Sequence, residues 1–192
     1  EDEVIAQRAP PVQRFGNADV CPPPGAFMQA TAHGEAHLLA AVQEAVQGRK
    51  RVIDLFAGCG TFTLPLAKDA EVWAVEGEAA MVEALDKGWR MAQGLKTVTH
   101  TARDLYRRPL LPDEFYKYDA VVMDPPRAGA EAQTSEIIRS DTARVAYVSC
   151  NPVTFARDVA QMIAGGFTLD WVQPVDQCRW SSHVELAAQL SR

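Results

Sequence analysis

A chain of 192 residues with 47% hydrophobic and 23% charged side chains has the make-up of one globular domain with a real core; it holds no apolar run near the ~20 residues of a membrane-spanning helix and no basic-plus-apolar leader, so cytoplasm is the expected compartment. The net charge of -6 argues against a self-sufficient nucleic-acid binder, because such affinity comes largely from Lys and Arg neutralising phosphates. Cys21, Cys59, Cys150 and Cys178 lie far apart without CxxC spacing, which points away from a metal cluster and from a disulfide framework.

In chain order, prolines at 10, 11, 22, 23 and 24 preclude a helix across most of residues 1–24, which read as an irregular lead-in. Leu38, Leu39, Val42 and Val46 then recur at helical spacing within residues 34–46, and Gly48 ends the pattern. An alternation follows: a strand at 51–56, a short helix at 63–68, a strand at 71–75 and a helix at 78–93 closed by Gly94. Strands at 97–101 and 118–123, a helix at 133–138, a strand at 144–149 and a helix at 154–163 come next. Residues 167–174 and 183–190 read as two closing strands. The order predicts an α/β, Rossmann-like domain over residues 34–192, with residues 1–33 as lead-in and the start of the pocket. Its seven-stranded sheet is mostly parallel with helices on both faces, and the last strand is antiparallel because no helix precedes it. The runs VIDLF, AVVMD and VAYVS are short and continuous, as strands buried on both faces should be.

In such sheets ligands bind at the carboxyl ends of the strands. The first strand ends in D-L-F-A-G-C-G (residues 54–60), where Gly58 and Gly60 allow a tight turn and close approach of a ligand. Thr63 stands where the dinucleotide fingerprint needs its third glycine, which disfavours a nicotinamide oxidoreductase. Asp54 suits a cofactor whose amino-acid end is cationic rather than a pyrophosphate, and Glu76, at the end of the second strand, can accept hydrogen bonds from ribose hydroxyls. Two prolines after Asp124 hold the backbone rigid and fix that carboxylate beside the pocket.

Cys150 ends another strand in S-C-N-P (residues 149–152), where amide dipoles of a starting helix can stabilise a thiolate facing substrate. A buried, inert cysteine is the alternative, and the flanking Ser, Asn and Pro argue for a surface turn instead. A thiol in a methyltransferase has a chemical reason. Carbon 5 of uracil is too weak a nucleophile to take a sulfonium methyl, whereas thiolate addition at carbon 6 makes an enolate with electron density at carbon 5. The proton left on carbon 5 then needs a separate base. Glu185 is a candidate, although from spacing alone an ordinary edge-strand glutamate is the stronger reading.

At these residues the chain resembles the RNA uracil-5-methyltransferases, the 5-methyluridine family that modifies ribosomal and transfer RNA. The resemblance covers about residues 15–192 and rests on F-M-Q (27–29), D-L-F-A-G-C-G-T-F-T-L-P-L-A (54–67), V-E-G (75–77), D-P-P-R-A-G (124–129), V-S-C-N-P with A-R-D (148–158) and H-V-E (183–185). It implies a class I methyltransferase fold, S-adenosylmethionine as cofactor and an RNA substrate, ribosomal favoured over transfer RNA, with no metal in this chain. It further implies Cys150 as the nucleophile and Glu185 as the base. Gln29, Phe56, Thr61, Glu76 and Asp124 would hold the cofactor, with Asp104 near its adenine. Asp124 would also touch the uracil or place the nucleophile.

Two departures stand out: Ala57 replaces the family's usual cysteine, and D-Q-C-R-W-S-S (176–182) replaces an aromatic-proline stretch expected to line the RNA side. Longer members carry a β-barrel TRAM domain, and many hold an iron–sulfur cluster on upstream cysteines. These residues contain neither, so the chain is expected to be part of a longer protein whose remainder supplies positive charge. Arg127, Arg157 and Arg179 are the local candidates for phosphate contacts, with ordinary surface arginine as the alternative. Trp180 reads equally as a stacking platform for a flipped base or as core. Two rival readings remain: an amino-group nucleic-acid methyltransferase using the D-P-P loop, and a cofactor- and RNA-binding module without catalysis. The first wants an aromatic where Arg127 stands and needs no cysteine; Cys150 and Glu185 count against the second.

Overall fold

A computed structural model describes residues 9–177, 180, 181 and 183–192. The lead-in is not irregular throughout. Strands β1 (Gln13–Phe15) and β2 (Ala18–Val20) form an antiparallel hairpin, turned by Gly16 at φ 58°. The prolines bracket this hairpin rather than forbid it. Phe15, Ala18 and Val20 face inward and pack with Cys59, Leu64 and Met81.

The rest of the chain runs through α1 (Ala32–Ala45), β3 (Arg51–Leu55), α2 (Thr63–Leu66), β4 (Glu71–Glu76), α3 (Ala79–Met91) and β5 (Val98–Ala102). It continues through β6 (Ala120–Met123), α4 (Glu131–Arg139), β7 (Arg144–Ser149), α5 (Pro152–Ala164), β8 (Thr168–Val175) and β9 (Glu185–Ser191). Val20 seats the hairpin on α3 at Gly88, where a Cβ would come within 2.6 Å of the valine methyl.

Seven strands form one sheet in the order β5-β4-β3-β6-β7-β9-β8, in which only β9 opposes its neighbours, as the sequence predicts. Successive residues of each inner strand go to opposite faces. Val52 and Val122 join Leu38 and Val42 of α1, whereas Ile53 and Val121 join Ile137 of α4 and Met162 of α5. Both faces are dry, which explains the unbroken apolar runs. Strand β8 is an edge strand, the place in a sheet where a residue such as Pro174 is tolerated.

Helix starts follow local chemistry. Thr31 Oγ1 accepts from the Gly34 amide at 2.9 Å and starts α1 two residues earlier than apolar spacing alone predicts. Asn151 Oδ1 accepts from the Val153 amide at 3.1 Å, and Pro152 occupies the first turn of α5, where its missing N–H costs nothing. Among the described residues, no helix is long and apolar enough to cross a membrane. The strand order reverses between β3 and β6, opening a crevice at their carboxyl ends.

Candidate active site

Acids line that crevice. Asp54, on β3, is fully buried; its Oδ2 accepts from Thr63 Oγ1 at 2.5 Å, while Oδ1 has no partner among the described residues. Burial pushes its carboxyl up to about 7 against the Thr63 hydrogen bonds, with the Glu76 charge adding to the rise. Glu76, at the end of β4, is pinned by two amides: Gly58 donates to Oε2 at 2.9 Å and Glu78 to Oε1 at 3.0 Å. The two loop glycines therefore differ in purpose. A Cβ on Gly60 would lie 2.9 Å from Leu64 Cδ1, so that position is small for packing, whereas Gly58 (φ 55°) has no atom within 4 Å of its Cβ position and leaves its side of the loop open.

Phe56 follows β3 with φ 61°, an unusual conformation for a residue with a side chain. Its ring centroid lies 5.7 Å from that of Tyr106. Thr61 is part-buried in the turn between Gly60 and α2. Asp104 lies past β5, its Oδ1 taken by the amides of Tyr106 at 3.0 Å and Arg107 at 3.2 Å. Gln29 reaches the crevice from the segment before α1, donating from Nε2 to Asp124 Oδ2 at 3.5 Å. Gln177 in turn donates to Gln29 Oε1 at 2.8 Å.

Cys150 lies beside the acids through strand register. Ser149 pairs with Leu186 in the antiparallel β7–β9 ladder, so the next position brings Cys150 opposite Glu185. Asp124 follows β6, the parallel neighbour of β7. The thiol is part-buried and Glu185 is buried. Burial holds the Cys150 thiol above its ordinary range, and the charges of Glu185 and Asp124 raise it further against Arg127. Two features work against a thiolate stabilised by the helix start: the α5 amide at Val153 is already taken by Asn151, and the Glu185 and Asp124 carboxylates raise the thiol. Asp124 is pushed up to about 8, chiefly by burial and then by Glu185 and Asp54. Burial also raises Glu185, opposed by a hydrogen bond from Gln177 and by the charges of His183 and Arg127.

The loop after Asp124 is fixed carbonyl by carbonyl. Arg127 O accepts from Asn151 Nδ2 at 2.8 Å and Thr154 Oγ1 at 3.1 Å, Ala128 O from Arg157 Nη2 at 3.1 Å, and Gly129 O from the Tyr106 hydroxyl at 3.1 Å. Asp158, fully buried under the loop, accepts from the Ala130 amide at 2.7 Å, the Tyr147 hydroxyl at 2.6 Å and Arg157 Nε at 2.8 Å. Gly129, at φ 76°, leaves no room for a side chain: a Cβ would sit 2.6 Å from Arg157 Nη2 and 2.7 Å from Asp158 Oδ2. Asn151 directly follows Cys150, so the same contacts tie the thiol's strand tip to the Asp124 loop.

The model of the tRNA (uracil-5-)-methyltransferase family matches residues 22–192. The chain belongs to that family. An uncharacterized RNA methyltransferase of Mesorhizobium japonicum is 52% identical over all of this chain and 47% of its own length. The 23S rRNA (uracil(1939)-C(5))-methyltransferase RlmD of Chromohalobacter salexigens is 40% identical over 88% of this chain and 35% of its own. The tRNA (uracil-54, C5)-methyltransferase of Pyrococcus abyssi, solved with S-adenosyl-L-homocysteine, superposes with a TM-score of 0.79 at 28% identity over 93% of this chain and 43% of that one. The chain thus spans about half the length of the curated relatives it matches.

As a domain of a uracil-5-methyltransferase family member, the structure sorts the arginines read as phosphate contacts. Arg157 is an internal clamp, bound to Asp158 and Ala128 O, so its guanidinium is committed to the loop. Arg127 sits on the exposed side, 2.9 Å from His183 Nδ1. Arg179 lies outside the described residues. Trp180 is fully exposed rather than core. The sequence reading missed Gln177, Tyr106, Tyr147 and the loop-anchoring role of Asp158. Their partners lie far off along the chain, and only the A-R-D motif gave any signal.

Proposed function

We propose that this chain is the catalytic domain of an enzyme that methylates carbon 5 of a uridine in RNA, using S-adenosylmethionine and a covalent adduct of Cys150 at carbon 6. The observation that carries the reading is the placement of Cys150 opposite Glu185 on adjoining strands, with Asp124 at the neighbouring strand end. Membership of the family supports the reaction class, and the likeness to RlmD favours ribosomal RNA. The crevice fits the cofactor: Asp54 offers a buried oxygen without a donor, and Glu76 is held rigid beside an open glycine turn. Asp54, Glu76, Asp124, Gln29, Phe56 and Thr61 would hold it, with Asp104 toward the adenine, and bound there it supplies an electrophilic methyl group.

The chain's own residues do the rest. Cys150 bonds to carbon 6 of uracil and the ring π electrons move toward carbon 5 and the carbonyl oxygen, giving the enolate that accepts the methyl. Glu185 then takes the proton from carbon 5, the C–H electrons restore the ring double bond, and the C6–S bond breaks. Burial and the Glu185 and Asp124 charges raise the thiol, so the thiolate that attacks carbon 6 would form by loss of its proton to water. Incubating the protein with 5-fluorouridine-substituted 23S rRNA transcript and S-adenosylmethionine should trap an adduct, since a carbon bearing fluorine has no proton to give up. Cys150→Ala should abolish it. An adduct that never forms, in protein shown to bind both partners, refutes the mechanism. Methylation that survives Cys150→Ala establishes the amino-group reading instead.

A further inference from the structure

Tyr106 is an exposed aromatic side chain held at both ends. Past the carboxyl end of β5, Leu105 is buried in the core while Tyr106 turns outward with 48% of its surface exposed. Asp104 shapes the turn that carries it, since Asp104 Oδ1 accepts from the Tyr106 amide at 3.0 Å and the Arg107 amide at 3.2 Å. At its other end the Tyr106 hydroxyl donates to Gly129 O at 3.1 Å. That carbonyl belongs to a loop already tied down from α5, through Thr154 on Arg127 O, Arg157 on Ala128 O and Asp158 on the Ala130 amide. The loop is therefore the anchor, and the tyrosine is what it fixes. Between these ends the ring lies against that of Phe56, with centroids 5.7 Å apart and planes tilted by 53°. Phe56 keeps φ 61° directly after β3, a conformation unfavourable for a residue with a side chain and retained where the surroundings impose it.

Phe56, Tyr106 and Gly129 follow β3, β5 and β6, so the ring pair stands at the strand ends that open the crevice. Fixing an exposed side chain costs rotamer freedom and buries little in return, whereas a preordered aromatic face is what a planar ligand packs on. One Asp104 oxygen is spent on its own turn, and the side chain which that turn presents is a flat ring. We infer that Tyr106, clamped between Phe56 and the Gly129 carbonyl, is the residue whose ring packs on the adenine of the methyl donor, with Asp104 building the turn that delivers it. The inference rests on the proposed cofactor. The hydroxyl also ties this seat to the loop that follows Asp124, so one side chain joins the base of the donor to the loop of the reacting site.

Nitration of the wild-type chain with tetranitromethane, read from the mass of the peptide that holds Tyr106, tests this without any substitution. Saturating S-adenosyl-L-homocysteine should protect Tyr106, saturating adenosine should do the same, and homocysteine should not. Tyr116, exposed just before β6 at the other end of that strand, is the unprotected control. In calorimetric titrations Tyr106→Ala should bind S-adenosyl-L-homocysteine about tenfold or more weakly, the loss expected when an aromatic platform is taken from a base, and adenosine weaker by a similar factor. Tyr106→Phe keeps the ring and loses only the tether, so it should stay within about fivefold of wild type. The inference is overturned if Tyr106 nitrates as fast with S-adenosyl-L-homocysteine bound as without it, or if 23S rRNA transcript protects it and S-adenosyl-L-homocysteine does not. It is equally overturned if Tyr106→Ala binds S-adenosyl-L-homocysteine within about twofold of wild type, or if Tyr106→Phe is as weak as Tyr106→Ala. Wild-type protein that binds no S-adenosyl-L-homocysteine instead sinks the cofactor reading, and this inference with it.

Discussion

Tyr147→Phe isolates one bond under the Asp124 loop. Tyr147 is fully buried, its hydroxyl donates to Asp158 Oδ2 at 2.6 Å, and its ring packs 5.3 Å from Phe155. The substitution keeps the ring, so the packing of the core is retained and only the oxygen is lost. Asp158 retains the Ala130 amide at 2.7 Å and Arg157 Nε at 2.8 Å, so no charge is stranded. The cost is then that of one hydrogen bond to a carboxylate, about 2 kcal/mol. For a domain of this size that lowers Tm by about 4–8 °C, with a lower urea midpoint and an unchanged m-value. Burial and Asp158 both raise the Tyr147 hydroxyl beyond the ordinary tyrosine range, so it stays protonated and the loss should be the same at pH 6 and pH 9. Thermal melts of Tyr147→Phe, Asp158→Asn and the double variant measure the coupling. A drop under about 1 °C, or additive single effects, refutes the claim that this pair anchors the loop.

Gly129→Ala should be far worse than its one added methyl suggests. It needs φ 76° and three atoms of Arg157, Asp158 and Thr154 to move, so we expect a loss of about 2 kcal/mol or more in melts together with loss of methyl transfer. Asp54→Asn should stabilise the protein at pH 8. The folded carboxyl is raised from 3.8 to about 7, so the unfolded chain ionises first, and stability falls as pH rises across that window by up to about 4 kcal/mol. Melts across pH 4–8 should therefore flatten in the variant, at the expense of cofactor affinity. Arg127→Ala should reduce the slope of log affinity against log salt for RNA by roughly 0.7–0.9, whereas Arg157→Ala should lower Tm and leave the slope unchanged. Equal slopes for both would return Arg127 to ordinary surface.

The fold was readable because strands buried on both faces leave an unmistakable mark: VIDLF, AVVMD and VAYVS alternate with helical spacing, and the lone β9 reversal follows from the missing helix before it. The β1–β2 hairpin was not readable. Each strand has three residues, too few to show a period, and its place depends on Gly88 of α3, far along the chain. The site divides in the same way. Asp54, Glu76, Asp124 and Cys150 end strands, which is where an α/β sheet presents chemistry, so position and residue type together marked them. Gln177 and Gln29 meet across 148 residues, and Gln29 and Asp124 across 95, distances over which local pattern carries no information. The surroundings of the thiol were legible only in part for the same reason: the helix start adjoins Cys150 in sequence, but the carboxyls that raise the thiol come from the end of β6 and from β9.

The acidity of this chain and its placement in an RNA-modifying family are reconciled at the crevice. Asp54, Asp124 and Glu185 are all raised by burial, and Arg127, on the exposed side, is the arginine that opposes the rise at Glu185. Arg157 is spent on Asp158. A phosphate entering the crevice would meet carboxylates and few donors, whereas a ligand carrying a sulfonium and an ammonium group would replace the protons that neutralise Asp54 and Asp124. On the proposed reaction these acids would favour the methyl donor over a polyanion at the cofactor side. RNA would then approach where Arg127 is exposed, with only the target base, an uncharged ring, reaching Cys150.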